Sequence, residues 1–300
     1  MLLRDFVVNA RTSLSTIYPA EEANAITGIL CSEYLGVQSY TYIINPGYEI
    51  KSKLLARADA ALERLMNHEP VQYVLGFCEF FGKKFTVSPS VLIPRPETET
   101  LCKAAIDAAM LIYRTRSAYG ASAGRVRILD LCTGSGCIAW TLALNVPDSS
   151  VTGIDVSTEA LKVASGQPFD VAKSRKPSFV QMDIFDNESV DNFLSSETAF
   201  DVVTCNPPYV LEKERNRMRR NVLEHEPSIA LFVPDENPML FNERIAEICS
   251  RCMHTDSVGF VEINESLEGA AAEVFAGKGF RDIEILKDIF GKNRFVRFKK

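Results

Sequence analysis

"VRILDLCTGSGCIA", residues 126 to 139, decides the fold. "VRILDL" is a run of strand formers, "CTGSG" carries two glycines in three positions, and "CIA" resumes an apolar pattern that suits a helix. A strand that passes through a glycine loop into a helix brings free helix N–H groups to the carboxyl end of the strand. The glycines let a ligand approach the backbone closely there. Such a unit belongs in a parallel α/β sheet, and the sequence that follows supplies the other strands. "VTGIDV" (151–156), "SFVQMD" (178–183), "DVVTCN" (201–206) and "VGFVEIN" (258–264) are short, rich in Val and Ile, and separated by segments that can hold helices. Near-continuous apolar runs of this kind are what strands buried on both faces need. "DIEILKD" (282–288) and "RFVRFK" (294–299) add two strands at the end of the chain.

Upstream the periodicity differs. From Leu2 to about Asn67 apolar residues recur at helical spacing, as in "ANAITGILCSEYLG" (23–36) and "KLLARADAALERLMN" (53–67), with "INPGYEI" (44–50) as a break. This reads as a small helical bundle. "YVLGFCEFFGKKFTVSP" (73–89) switches to alternation around "FGKKF", which predicts a β-hairpin connector. "SPSVLIPRP" (88–96) is stiff, a helix is expected from Glu97 to about Tyr113, and "RSAYGASAG" (116–124) reads as a small-residue loop. The resulting division is a helical domain at 1–75, a hairpin linker at 76–93 and an α/β domain at 94–300.

Composition narrows the function. Three hundred residues with 46% hydrophobic content fit one large and one small domain. A formal charge of −6 argues against a protein that wraps nucleic acid. The eight cysteines are scattered through apolar segments of a chain too large to need disulfides, so a reducing cytosol is the expected home. Cys249 and Cys252 form a CxxC with His254 behind it, but no second ligand pair appears, so they read as two buried helical cysteines and no metal is expected. No apolar run is long enough to span a membrane, and "MLLRDFVVNARTSL" (1–14) has no signal-peptide core.

The chemistry gathers at the strand ends. "GSGCIA" (134–139) satisfies the GxGxxA dinucleotide fingerprint, with Asp155 about twenty residues on, and says only that a nucleotide-like ligand sits there. Asp155 closes the second strand and Asp183 the third, and carboxylates at those positions suit ribose hydroxyls and an adenine amine. The fourth strand ends in "NPPY" (206–209), which separates hydride transfer from methyl transfer. The lone pair of an amide or aromatic amine is conjugated and therefore weakly nucleophilic. Acceptors on both N–H bonds and an aromatic face that fixes the plane turn that lone pair toward a methyl group on a sulfonium. Asn206 Oδ1 and the Pro207 carbonyl are the candidate acceptors, and Tyr209 the face, on a loop stiffened by Pro207 and Pro208. His68, His225 and His254 lie outside these motifs, and Cys205 reads as a buried strand residue. No general base is needed, because a methylated amide loses its proton to water.

Taken together these stretches resemble the HemK/PrmC family, S-adenosylmethionine-dependent enzymes that methylate the glutamine of the GGQ tripeptide in peptide-chain release factors. The resemblance runs through "EPVQYVLG" (69–76), "EFFGKKFTV" (79–87), "VLIPRPETE" (91–99), "DLCTGSGCIA" (130–139), "NPPY", "EHEPSIAL" (224–231) and "FGKNRFV" (290–296). "NPPY" alone is shared with adenine-N6 methyltransferases; "IPRPETE" behind a helical domain is more specific. It implies an α/β fold with a seven-stranded Rossmann-like class I methyltransferase sheet, its last strand antiparallel, and an N-terminal bundle that recognises the protein substrate. It also implies cofactor contacts at Cys132, Thr133, Gly134, Ser135, Gly136, Asp155, Asp183, Ile184 and Asn206, and substrate contacts at Asn206, Pro207, Pro208 and Tyr209. Cys132 stands where the family usually has Gly, Ile184 where an aromatic is common, and "LFVPDENPML" (231–240) lacks the usual glycines. A glutamine of a ribosomal protein is the alternative substrate. An adenine of a nucleic acid is a weaker one, because the only basic run, "EKERNRMRR" (212–220), reads as a solvated helix face.

Overall fold

The computed structural model of the chain describes residues 1–118 and 124–300, and residues 119–123 of the expected small-residue loop lie outside them. The described residues form two compact units. One comprises Met1–Gly76 together with Met218–His225; the other comprises Phe77–Arg217 and Glu226–Lys300.

The first unit is helical. Helix α1 (Leu3–Leu14) buries Leu3, Phe6, Val7, Ala10 and Leu14, one stripe at i, i+3, i+4, i+7 spacing, and packs with α2 (Ala20–Leu30), the short α3 (Thr41–Ile44) and α4 (Ser52–Met66). A short α5 (Val71–Leu75) closes it, so "YVL" is helical and is not the first arm of a hairpin; Gly76 stops that helix with φ of 79°.

The hairpin proper is β1 (Phe77–Phe80) with β2 (Lys83–Thr86). Its two-residue turn has positive φ at both Phe81 (50°) and Gly82 (69°), the twist that two-residue hairpins require. Helix α6 (Thr98–Ala118) follows and runs five residues past its expected end, so that Arg116, Ser117 and Ala118 are helical.

Strands β3 (Val126–Leu131), β4 (Ser149–Asp155), β5 (Ser178–Gln181) and β6 (Phe200–Cys205) are parallel. They alternate with α7 (Cys137–Asn145), α8 (Thr158–Ser165) and α9 (Asn187–Ser196). After β6 come a two-residue parallel pair, β7 (Val210–Leu211) and β8 (Phe232–Val233), with α10 (Arg220–His225) between them in sequence, then α11 (Leu240–Cys252). The sheet is completed by β9 (Met253–Glu262), helix α12 (Glu268–Gly277), β10 (Arg281–Lys287) and β11 (Asn293–Lys299). The seven strands run in the order β10-β11-β9-β6-β3-β4-β5 and only β11 is antiparallel to its neighbours. All six residues of β6 are buried, as a central strand covered on both faces must be. Cys249 and Cys252 are buried in α11, and His254 Nε2 lies 2.7 Å from Asp201 Oδ1. No described helix is long and apolar enough to cross a membrane.

Candidate active site

Order reverses between β3 and β4 on one side and β6 on the other, and in such sheets ligands bind outside the carboxyl ends of strands at that reversal. The glycine loop sits there. Asp130, at the end of β3 and fully buried, accepts from Thr133 Oγ1 at 2.6 Å and from Thr204 Oγ1 of β6 at 2.8 Å, which fastens the loop to two strands. Burial pushes its carboxyl up to about 7, against the help of those two hydroxyls. Cys132, Gly134 and Gly136 all have positive φ (55°, 54° and 76°). At Gly136 a Cβ would also come within 3.0 Å of the Ala164 Cβ and 3.2 Å of the Phe179 and Trp140 rings, so only glycine fits. Cys132 takes the same backbone region with a side chain attached, at a cost of about 1 kcal/mol.

The loop delivers an amide to the next strand. Gly134 N donates to Asp155 Oδ2 at 2.8 Å and Ser157 N donates to Oδ1 at 2.9 Å, so each oxygen of Asp155 is oriented by one backbone donor and keeps further accepting capacity. Burial raises the Asp155 carboxyl, the two amides opposing it. Beyond β5, Asp183 Oδ1 accepts from Phe185 N at 2.8 Å, while buried Ile184 gives its carbonyl to Arg244 Nε.

Between these elements lies a cavity of about 340 Å³, within the range of small-molecule sites. Cys132, Thr133, Gly134 and Ser135 of the loop line it, as do Asp155, Asp183, Ile184, Asn206 and Pro208. Gly136, Pro207 and Tyr209 are not on its wall. Among the lining residues that had no assignment from sequence are Leu92, Pro94, Arg95 and Thr98 from "IPRPETE" and the residue before it, and Pro227, Ile229, Ala230 and Phe241 on the side after β6. "IPRP" is anchored by Glu226, which accepts from Ile93 N at 3.1 Å and Arg95 Nη2 at 2.7 Å.

Asn206 is held from behind. Its Nδ2 donates to Thr98 Oγ1 at 3.3 Å, Thr98 Oγ1 donates to Glu262 Oε2 at 2.8 Å, and Tyr209 Oη donates to Glu262 Oε1 at 2.8 Å. Glu262 ends β9, which pairs with β6, and is 1% exposed. Its burial moves the carboxyl up to about 7, although Thr98, Tyr209 and Arg294 favour the charged form. Burial, and then Glu262, push the Tyr209 phenol well above its ordinary range, so it stays a donor. Sequence reading passed over Thr98 and Glu262, although a lone carboxylate in the apolar run "VGFVEIN" was a legible signal. Cys205 is a buried residue of β6 whose thiol is driven upward by burial, which does not suit a nucleophile.

The cavity therefore combines carboxylates able to accept from ligand hydroxyls and amines, an apolar wall for a planar ring, and an amide whose nitrogen is committed to Thr98 and whose oxygen is the accepting end. A nucleoside carrying a positive charge matches that donor set, as S-adenosylmethionine does. Residues 7–76 match the PrmC N-terminal domain and residues 123–257 a methyltransferase domain. A solved release factor-specific protein-(glutamine-N5) methyltransferase of Alicyclobacillus acidocaldarius aligns with a TM-score of 0.43 and 24% identity, covering 72% of this chain and 99% of that one. A release factor glutamine methyltransferase of Bacteroides thetaiotaomicron is 35% identical over 286 residues, 95% of this chain and 96% of that protein. One of Flavobacterium psychrophilum is 32% identical over 297 residues, 99% of each chain. End-to-end likeness to these two relatives, on a seven-stranded sheet that carries "NPPY" at the end of its fourth strand, places the chain in the release factor glutamine methyltransferase family of S-adenosylmethionine-dependent enzymes.

Proposed function

We propose that this chain methylates N5 of the glutamine side chain in the GGQ motif of peptide-chain release factors, in the cytoplasm where those factors act. The observation that carries the reading is the orientation of Asn206, which lines the same cavity as Asp155: its nitrogen is engaged by Thr98, which leaves Oδ1 as the acceptor. S-Adenosylmethionine supplies the electrophilic methyl group when bound. Asp155 accepts from the ribose hydroxyls; Thr133 to Gly136, with Cys132, shape the loop around the ligand; Asp183 and Ile184 flank the adenine. Asn206 Oδ1 and the Pro207 carbonyl accept from the two N–H bonds of the substrate amide. Pro208 walls the approach, and the Tyr209 ring fixes the amide plane. With both protons drawn aside in that plane, the nitrogen lone pair is turned out of conjugation toward the methyl group.

Incubation with release factor and labelled cofactor, followed by peptide mass spectrometry, is expected to place one methyl group on the GGQ glutamine. Label on a ribosomal-protein glutamine or on adenine, with none on the release factor, overturns the reading.

Asp155→Ala is expected to weaken cofactor binding by about 1.5 to 3 kcal/mol at most for each ribose hydroxyl left without its carboxylate partner, read by calorimetry. Unchanged affinity removes the ribose assignment.

The helical unit is assigned to recognition of the protein substrate, because the sheet and its cavity are complete without it. A fragment starting at Phe77 is expected to methylate a short GGQ peptide as the whole chain does, yet to lose about tenfold or more toward intact release factor. Equal retention toward both would assign the unit to stability alone.

A further inference from the structure

We infer that Glu262 and Thr98 are positioning residues for methyl transfer: one carboxylate fixes the tip of β6 by holding Tyr209 directly and Asn206 through the Thr98 hydroxyl. The inference rests on the proposed amide acceptor. With Glu262 ionised, the three hydrogen bonds have a single consistent direction. Glu262 only accepts when ionised, so the Thr98 hydroxyl must donate its proton to it, and Thr98 Oγ1 is then an acceptor toward Asn206. The amide can satisfy that acceptor with its NH2 end alone. A reversed amide would set two acceptors against each other and aim a donor at the substrate. The second oxygen of Glu262 takes the Tyr209 hydroxyl, three residues along the same loop, so both ends of "NPPY" are referred to one buried point.

The supports of that point come from separate segments. Thr98 opens α6 within "IPRPETE" and is 1% exposed; Glu262 ends the strand beside β6. Asn264 Nδ2 donates to the Tyr209 carbonyl at 3.3 Å and to Glu214 Oε2 at 3.0 Å, and Glu214 Oε2 also accepts from Leu211 N at 2.8 Å, which steadies the far side of the loop. Arg294, from "FGKNRFV", keeps a positive charge near Glu262 and Tyr209, and Glu97 is the opposing charge facing the carboxylate from the segment ahead of α6. A buried carboxylate with its oxygens matched to two hydroxyls is over-determined, which is what a residue needs if it is to hold others within a fraction of an ångström.

Thr98→Val and Thr98→Ser separate positioning from packing. Valine keeps the shape and removes the hydroxyl, so turnover is expected to fall about tenfold or more with acceptor KM and cofactor Kd within about threefold and an unfolding midpoint close to that of the parent. Serine restores the hydroxyl and is expected to restore turnover to within about threefold. Because Thr98 acts through Asn206, adding Thr98→Val to Asn206→Ala is expected to cost almost nothing further, whereas a structural defect would add in full. Should valine lower the midpoint, Thr98→Ala carries the same expectation in that cycle. Parent-like turnover of the valine or alanine variant, or full additivity with Asn206→Ala, overturns the inference. If the unmodified enzyme leaves the release factor unmethylated, it is the proposed function that fails, and the two outcomes are distinct.

Discussion

Asn206→Ala is expected to lose on the order of a hundredfold or more in single-turnover methyl transfer to a GGQ-containing release factor, while cofactor affinity stays within about tenfold. The asymmetry follows from what the side chain touches. Its nitrogen is tied to Thr98 and the residue lines the cavity, so in the free enzyme it mainly contributes shape. Its contribution appears when the amide being methylated acquires positive character and its N–H bonds become stronger donors; an acceptor fixed in advance then gains strength without reorganising. Alanine leaves one of those protons without its partner beside the reacting nitrogen. Asn206→Asp sharpens the test. It keeps the size and an acceptor oxygen but adds a negative charge near a cationic ligand, so cofactor affinity is expected to hold or rise while the charged side chain can no longer offer Thr98 a donor. Near-parental transfer by Asn206→Ala would reduce "NPPY" to a stiff turn and remove the mechanism.

The parts of the molecule legible in sequence are those specified locally. The central strands β3, β4, β6 and the second half of β9 are buried on both faces and must be apolar runs, while the edge strands β5 and β10 are partly exposed but still rich enough in apolar residues to read as strands. The loop after β3 needs glycine at 134 and 136, and the resemblance marked Cys132 as unusual because glycine usually holds the same positive φ there. Where the determinant is distant, reading failed. Met218–His225 clusters with the N-terminal helices through Arg219 Nη1, 3.0 Å from Glu22 Oε1, and His225 Nε2, 3.1 Å from the Asn67 carbonyl; no local pattern encodes pairs 197 and 158 residues apart. "YVL" alternates over too few residues to distinguish a last helical turn from a strand, and β7 and β8 have two residues each, below any period. Within "EKERNRMRR" two of the basic residues pair with neighbouring acids, Arg215 with Glu212 and Arg220 with Glu224. The carboxylate that orients Asn206 lies 56 positions beyond it and the hydroxyl between them 108 before it, so only the fold reveals that "IPRPETE" and "NPPY" serve one point.

The stability of the second unit is expected to fall as pH rises from about 4 to about 7, by several kcal/mol, and to level off above that. Asp130 and Glu262 carry the effect. Each is fully enclosed, each is pushed from an ordinary carboxylate value to about 7, and burial is the leading cause in both. Between pH 4 and 7 the folded chain therefore keeps protons that the unfolded chain has released. The unfolded state binds fewer protons, so unfolding grows easier with rising pH; one carboxyl moved that far changes the balance by on the order of 4 kcal/mol. Asp201 behaves oppositely: burial works to raise it, but bonds from Arg116 at 2.8 Å and 2.5 Å, the Arg127 amide and His254 hold it below its ordinary value. Its stabilisation is present above the unfolded value and lost only in stronger acid, so the two windows do not overlap. Trp140, the one tryptophan of the chain and buried in α7, reports unfolding of this unit by fluorescence in denaturant. Asp130→Asn replaces the titrating oxygen by an amide that can still accept from Thr204 and donate toward Thr133. The variant is expected to be the less stable protein at pH 5 and to gain on the parent between pH 5 and about pH 7, with a flatter slope. If parent and variant ran parallel across that interval, or if the parent grew more stable toward neutral pH, Asp130 would not be a carboxyl held protonated by its burial beneath the loop.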